Sequence, residues 1–553
     1  HIAQFQQQDP QIIWARIVEV VQTFNQYAGT IKQDNFPEDL LEVFKQKGIE
    51  RVPDDLQVSP EKNFFDWDRC SEPVYLALAV LIGAWNDKNS NDLQAASSVL
   101  GISYEEWTHK AQKLLVCSGS PLTLKNGIWR VRDRTRLWET LGSYILDRNL
   151  DAFQTVAVRV LKDRDPAFEL PVKERYAAGI YGKVPVFSDE LRKGIAEGVA
   201  LLGSRPEKCS NCSQYKAERT ATLVVRELFS DAEWVLWGSL NRLLPDLAEA
   251  SPLEFLNAVA KALRSRTCPF DELFAQEGDG IYGGNYLTGL LWALEGLAWD
   301  KDFFVQVCTL LGELAGRDPG GQWDNRPSNS LATVMLPWRP HTLAPFEKRQ
   351  VAVKTLLRDC PDVGWKLLLN LLPDQIQTTS GSHRPRWRMI IPDDREITHE
   401  EYWQQVTFYG KLAVEAAGNN TARLSQLIDV FDRLPQPAFE DLLDVLASDG
   451  IDGLPEDQRL VLWDHLTKLI RKHRRCSEAS WALPDELLNR IESVGDRLAP
   501  DDLFNLYQPL FSEYDSDLYD EKGGWEEQQR KIYEKRQFAV RELLRKYGTD
   551  GLI

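Results

Sequence analysis

The sequence predicts an all-α protein, an irregular helical-repeat solenoid of the TPR or HEAT kind with a winged-helix unit near its N-terminus. Apolar residues recur at three- and four-residue steps along most of the chain, and short turns separate these segments. They keep no strict period, so the solenoid should be irregular. One region alternates instead like two strands around Asn126-Gly127, the strongest short hairpin signal in the chain.

Composition indicates a globular chain of several packed units. Of the 553 residues, 43% are hydrophobic and 27% are charged, and the formal net charge is −18. We do not expect nucleic-acid binding from so acidic a chain, because phosphate affinity comes mainly from clustered Lys and Arg. The 8 cysteines, mostly isolated, fit a reducing cytoplasm, and no secretory leader or membrane-spanning run is visible. The chain begins with His1 rather than Met, so we expect a longer natural protein.

Changes of pattern along the chain predict its division into segments. The winged-helix unit should contain a buried helix at 73–85, helices at 91–101 and 103–116, and a hairpin at 122–132. The predicted segments are an N-terminal helical segment (1–72, with a clear amphipathic stretch at 12–28), the winged-helix unit (73–147), a helical-repeat array (148–372), a polar loop or linker (373–401), and a second helical array that ends in a charged helix (402–553, with the helix at 525–548).

Helix ends are marked in the first array. Apolar periodicity is clearest at 191–203, 289–299 and 303–316. Ser188 and Ser251 precede helices and are predicted to cap them, and Asp318-Pro319 should end the helix before it.

The winged helix is predicted to pack against protein rather than to read DNA. Glu105 and Glu106 occupy the first turn of its second helix, where base-reading residues would lie, and their charges would repel phosphate. The wing carries Lys125, Arg130 and Arg132, which keeps DNA binding open as the alternative.

Catalytic and metal motifs are mostly absent from the sequence. It contains no phosphate-binding glycine loop, no G-x-S-x-G and no H-E-x-x-H, so we expect no enzyme activity and no cofactor within this chain. Cys209 and Cys212 form one C-x-x-C, but a zinc site needs two more ligands and none follows at a suitable spacing. We therefore predict two incidental thiols, with zinc binding as the alternative.

Two aromatic and arginine-rich segments are the candidate binding residues. Residues 320–342 lack helical periodicity, so we predict an irregular loop there, and they combine stiff prolines with Trp and Arg. Residues 383–389 ("HRPRWRM") interleave three arginines with a tryptophan. The tryptophans of the first segment either pin it to the helices or form a contact surface, and the arginines of the second either grip a partner or pair with the protein's own acidic surface. The predicted partner-binding residues are Trp323, Asn325, Arg326, Trp338, Arg339, His341, Arg384, Arg386, Trp387 and Arg388.

Several stretches together resemble a known family. The run at 289–373, "DPAFELPVKERYAAGIYGK" (165–183), "LRKGIAEGVALLGSR" (191–205) and the "NGIWRV" wing are similar to the C-terminal region of bacterial antiviral STAND ATPases of the Avs-like type. The resemblance covers most of 73–390 and weakens beyond it, and its motifs are structural.

The resemblance implies an architecture and a role. Such proteins combine an effector, a P-loop ATPase core that uses ATP and Mg²⁺, a winged helix and a helical-repeat sensor. Their sensors bind a conserved phage protein, such as the large terminase subunit or the portal, and ATP-bound tetramers form through domains that this chain lacks. We therefore expect a cytoplasmic sensor region. The alternatives are a helical scaffold or winged-helix regulator outside phage defence and, last, a hidden hydrolase or nuclease.

Overall fold

Helices make up nearly all regular structure in the part of the chain that the computed structural model describes. That part comprises residues 72–116, 119–278, 284–338, 341–374, 381–389, 397–479, 481–520 and 523–549. The predicted helical content is confirmed there. The predicted helix at 12–28, the rest of the N-terminal segment before Glu72, and Arg339 lie outside the described residues.

The elements follow one another along the chain as a long succession of helices interrupted by three short strands. They are α1 (Pro73–Ile82), β1 (Ala84–Asn86), α2 (Ser90–Leu100), α3 (Tyr104–Leu115), β2 (Leu122–Lys125), β3 (Ile128–Val131), α4 (Arg134–Leu141), α5 (Asp147–Leu161), α6 (Asp189–Ser204), α7 (Lys216–Phe229), α8 (Trp234–Ser239), α9 (Leu244–Ala250), α10 (Pro252–Leu263), α11 (Pro269–Ala275), α12 (Thr288–Ala298), α13 (Phe304–Arg317), α14 (Pro327–Met335), α15 (Phe346–Asp359), α16 (Pro361–Asn370), α17 (His399–Ala417), α18 (Thr421–Asp429), α19 (Gln436–Leu446), α20 (Asp449–Asp452), α21 (Glu456–Arg475), α22 (Asp485–Leu498), α23 (Leu503–Ser512) and α24 (Trp525–Tyr547).

The predicted hairpin is confirmed. Strands β2 and β3 pair antiparallel, with Leu124 opposite Trp129. Asn126 and Gly127 have φ values of 56° and 85°, as a two-residue type I′ turn requires.

The first helix is shorter than predicted. It ends at Ile82 because Gly83 adopts a positive φ of 78°, and the next three residues form β1 rather than a further helical turn. Strand β1 pairs antiparallel with β3, so the sheet order is β1-β3-β2. Hydrogen bonding to β3 thus overrides the apolar run that predicted a helix to residue 85.

Three tryptophans hold the sheet to the preceding helices. Trp85 of β1, Trp107 of α3 and Trp129 of β3 are almost fully buried, with ring centroids between 5.8 and 6.3 Å apart. The indole N–H of Trp85 donates to the Tyr104 hydroxyl at 3.1 Å. Aromatic contacts of this kind add to the free energy gained by burying the rings.

The helices that follow pack in two rows. One row runs α1, α6, α9 and α12, and the other runs α5, α7, α10 and α13, with each helix touching the next in its row. Neighbours also pack across the rows, as α6 does on α7 and α12 on α13. Helix α6 contacts helices of both rows, and nearly all of its residues from Leu191 to Gly203 are therefore buried.

The helix-end predictions have mixed outcomes. The Ser188 hydroxyl caps α6 by accepting from the Leu191 amide at 3.1 Å, as predicted. Helix α13 ends before Asp318, also as predicted. Helix α10 begins directly after Ser251, as predicted, but the Ser251 hydroxyl makes no capping bond and instead lies 3.3 Å from the Thr222 hydroxyl.

Part of the predicted irregular segment 320–342 is helical. Helix α14 starts with Pro327 in its first turn, where the missing N–H leaves no hydrogen bond unmade. Leu331, Val334 and Met335 are buried at helical spacing. Among the described residues no helix has both the length and the apolar character needed to cross a membrane.

Candidate functional site

The predicted arginine-tryptophan segment lies against the α6–α9–α12 row as a non-helical stretch, residues 381–389, which we call the strap. Its centre is held by one carboxylate. Glu249 of α9, 3% exposed, accepts from the backbone amides of Arg386, Trp387 and Arg388 at 2.8, 2.7 and 2.8 Å. Three successive N–H groups around one buried anion fix the backbone of the strap, since hydrogen bonds to charged groups are stronger than those between neutral groups.

The side chains of the strap add to this attachment. Trp387 is 3% exposed, and its indole N–H donates to Asp246 of α9 at 2.7 Å. The Arg388 guanidinium donates from Nε to the backbone carbonyl of Glu249 at 2.8 Å. Trp387 and Arg388 are therefore committed to contacts within the chain.

The other end of the strap is held by α12. The His383 amide donates to Glu295 at 2.7 Å, and the other oxygen of that carboxylate accepts from the Ser330 hydroxyl at 2.6 Å. The indole N–H of Trp299 donates to the His383 carbonyl at 3.0 Å.

Three buried glutamates thus contact the strap, one on each of three neighbouring helices: Glu197 of α6, Glu249 of α9 and Glu295 of α12. Glu197 joins by accepting from the Arg386 guanidinium at 2.7 Å. From the sequence, pairing with the protein's own acidic surface stayed an alternative for the arginines, but none of these three glutamates was identified.

Burying these carboxylates has an electrostatic cost. Burial, followed by the nearby charge of Glu197, raises the pKa of Asp246 to about 6. Burial also raises the pKa of Glu249 and of Glu295, although backbone amides of the strap act in the opposite direction on both. The ionised site is thus held together by hydrogen bonds against a desolvation penalty.

We expect Asp246→Asn to stabilise the protein at neutral pH. A carboxyl whose folded pKa is raised from 3.8 to about 6 contributes stability that is complete below pH 3.8 and is lost as the pH rises through 6. The amide oxygen of Asn can still accept from the Trp387 indole. The variant should unfold like the parent near pH 4 and gain up to about 3 kcal/mol above pH 7. Thermal melts from pH 4 to pH 8 test this, and a variant that is less stable at pH 8 would contradict it.

Exposed side chains of the strap and of α12 lie next to one another. The Arg384 guanidinium is exposed, lies 5.0 Å from the Trp299 ring centroid, and contacts no carboxylate of the described residues. Arg386 is 61% exposed and lies over the Trp387 ring. Trp292, 43% exposed, stacks parallel on His383 at 5.4 Å.

The predicted binding residues of 320–342 are mostly engaged within the chain. Arg326, 7% exposed, donates to both oxygens of Glu277 at 2.6 Å and to Asp318 at 3.0 Å. Gly321 makes room for it, because a Cβ there would lie 1.7 Å from the Arg326 Nη2 atom. The Trp323 indole donates to the Gly278 carbonyl at 3.2 Å. These contacts give the segment an architectural role.

The remaining residues of that segment differ in exposure. Asn325 donates to the Thr288 hydroxyl at 3.3 Å, Trp338 is 37% exposed, and His341 is buried. The His341 carbonyl accepts from the Ser382 hydroxyl at 2.9 Å, which ties the segment to the strap.

A buried arginine that sequence reasoning missed shapes the same segment. Arg349 of α15, 4% exposed, donates to the Val334 and Ala344 carbonyls at 2.9 and 3.3 Å and to the Thr342 hydroxyl at 2.9 Å. It therefore fixes the chain where α14 ends. The surrounding sequence, "FEKRQ", is mostly polar, so nothing in it indicated that Arg349 is buried.

The C-x-x-C pair lies in a turn before α7. Cys209 is buried, and the Cys212 thiol donates to the Ile145 carbonyl at 3.3 Å. Burial raises the pKa of both thiols, that of Cys212 to about 11. Within the described ranges no group of three or more His, Cys, Asp or Glu residues is arranged to hold a metal ion.

Comparison of the chain with protein-family models, with curated proteins and with solved structures gave no match.

Proposed function

We propose that the chain is the protein-recognition region of an antiviral STAND ATPase and that it binds a phage protein, the large terminase subunit or the portal. In this proposal the helices form an irregular helical-repeat solenoid. The support is the succession of helices in two rows, together with the sequence resemblance over most of 73–390. We further propose that it works in the cytoplasm, as part of a protein whose other domains bind ATP and Mg²⁺ and form the tetramer.

We also propose that residues 73–147 form a winged helix that packs against protein. The order of two helices, α2 and α3, followed by the β2–β3 hairpin supports this assignment, and β1 supplies a third strand. Glu105 and Glu106 are exposed on α3, where they would repel duplex phosphate.

The main observation in support of the recognition proposal is the exposure of Arg384 and the residues that surround it. Its guanidinium is exposed, held over an aromatic ring and without a carboxylate partner among the described residues. The strap that carries it is fixed to three helices, so little conformational entropy remains to be lost on binding. An arginine oriented in this way suits a carboxylate on a protein partner, and arginine and tryptophan dominate interface hot spots.

The proposal is tested by titrating the purified chain with purified large terminase subunit and, separately, with portal protein. Binding to one of them in the micromolar range or tighter is expected. No binding to either at tens of micromolar would overturn the proposed partner class.

We expect Arg384→Ala to weaken that binding by roughly 1–3 kcal/mol, about 5-fold to 150-fold in Kd, with an unchanged melting temperature. The variant removes a surface contact but no hydrogen bond of the fold. Arg226→Ala is the matched control, because Arg226 is an exposed arginine on α7 whose partner is Glu254. Equal affinity of the Arg384 variant and the parent would remove the strap from the interface.

A further inference from the structure

Glu197 joins two parts of the chain that are far apart in sequence. Its Oε2 atom accepts from Nη1 of Arg134, and its Oε1 atom accepts from Nη1 of Arg386, both at 2.7 Å. Arg134 begins α4, next to the β2–β3 hairpin, and Arg386 belongs to the strap. One carboxylate therefore serves both guanidinium groups.

Arg134 continues the connection beyond the glutamate. Its Nε donates to the Val80 carbonyl at 2.9 Å, and its Nη2 donates to the Leu81 and Gly194 carbonyls at 3.0 and 2.9 Å. The last turn of α1, the start of α4 and the middle of α6 thus meet at this side chain. Breaking its bond to Glu197 would disturb all three elements.

The three side chains that Glu197 links differ sharply in their exposure to solvent. The side chains of Arg134 and Glu197 are 8% and 10% exposed, whereas that of Arg386 is 61% exposed. Burial alone would raise the pKa of Glu197, but the charges of Arg134 and Arg386 hold it below its usual range. The buried anion thus depends on both cations, only one of which can be reached from solvent.

We propose that Arg386, Glu197 and Arg134 form an ionic relay through which an acidic group of a protein partner, on binding the strap, alters the packing of α1 and α4. A partner carboxylate would compete with Glu197 for the exposed guanidinium of Arg386. One oxygen of a buried carboxylate would then lose its partner, which is costly in a site shielded from water. We expect the resulting loss of stability to fall on the segments that Arg134 holds, the last turn of α1 and the first turns of α4. The relay rests on the proposed recognition function, because it assigns regulation to the same surface.

Hydrogen exchange of the full chain tests the relay without any partner. In Arg386→Ala we expect amide exchange of residues 79–86 and 134–141 to become about fivefold faster or more, because the buried carboxylate keeps only one cation. Arg386→Lys retains one ion pair with Glu197 and should restore most of the protection. Arg384→Ala, two residues away on the strap and not in contact with Glu197, is the matched control and should leave both regions unchanged.

A double variant tests whether the effect of Arg386→Ala acts through Glu197 or reflects a general loss of stability. In a Glu197→Gln background, Arg386→Ala should have little further effect on 134–141, because the two residues act through one contact. The relay is overturned by unchanged exchange in Arg386→Ala, by equal acceleration in Arg384→Ala, or by acceleration that extends uniformly to α21. Since no partner is present, these outcomes are independent of the terminase and portal titrations, which judge the proposed function alone.

Discussion

Replacing Trp387 by alanine is expected to lower the free energy of unfolding by about 3–5 kcal/mol. The ring is 3% exposed, so its removal leaves a cavity between the strap and α9. The loss also leaves Asp246 without the indole N–H at 2.7 Å, in a place where burial already raises the pKa of the carboxyl to about 6. Chemical denaturation followed by circular dichroism measures the change.

Two further variants assign this cost to its sources. Trp387→Phe keeps most of the buried ring but not the indole donor, so it should cost about 1–2 kcal/mol, within the range for one unsatisfied buried group. Trp292→Ala removes a ring of α12 that is 43% exposed and stacks on His383 of the strap, and it should cost less than Trp387→Ala. If Trp387→Ala proves no worse than Trp292→Ala, the strap is not anchored through its tryptophan.

The helices of the chain could be predicted from sequence because their burial is one-sided and periodic. The predicted segment 303–316 and the observed α13, Phe304–Arg317, differ by a single residue at each end. The same rule failed at 84–85, where the apolar run continues but the pairing partner is β3, a strand more distant along the chain. Strand pairing between distant segments leaves no local pattern in the sequence, so β1 could not be predicted.

The contacts of the strap could not be predicted from local sequence patterns either, because they too join distant parts of the chain. Its arginines were recognised as carboxylate-binding groups, but the acids that hold the strap come from helices between 88 and 189 residues earlier in the sequence. A signal for those acids does exist. Glu197, Glu249 and Glu295 each interrupt a run of small or apolar residues, as "IAEGV", "LAEAS" and "ALEGL". A single acid at a position that the helical pattern assigns to the interior indicates a buried partner.

Arg326→Ala is expected to be as destabilising as the tryptophan change, by about 3–5 kcal/mol. Glu277 and Asp318 are only 16% and 10% exposed, and both depend on this one guanidinium. Without it, two partly buried carboxylates lose their cation, and residues 318–326 lose their ionic attachment to the end of α11.

Arg226→Ala provides the control for that change. Arg226 also forms two bonds to a glutamate, Glu254, but its side chain is 58% exposed and water can replace the contacts. We expect a much smaller cost there than for Arg326→Ala, because an exposed ion pair contributes little to stability. Both sites are arginine–carboxylate contacts, but Arg226 donates from Nε and Nη2 to one glutamate at the surface, whereas the buried Arg326 binds two carboxylates. Equal small costs for both arginines would mean that the Arg326 site opens to water, and residues 320–342 would then regain a place among the candidate contact surfaces.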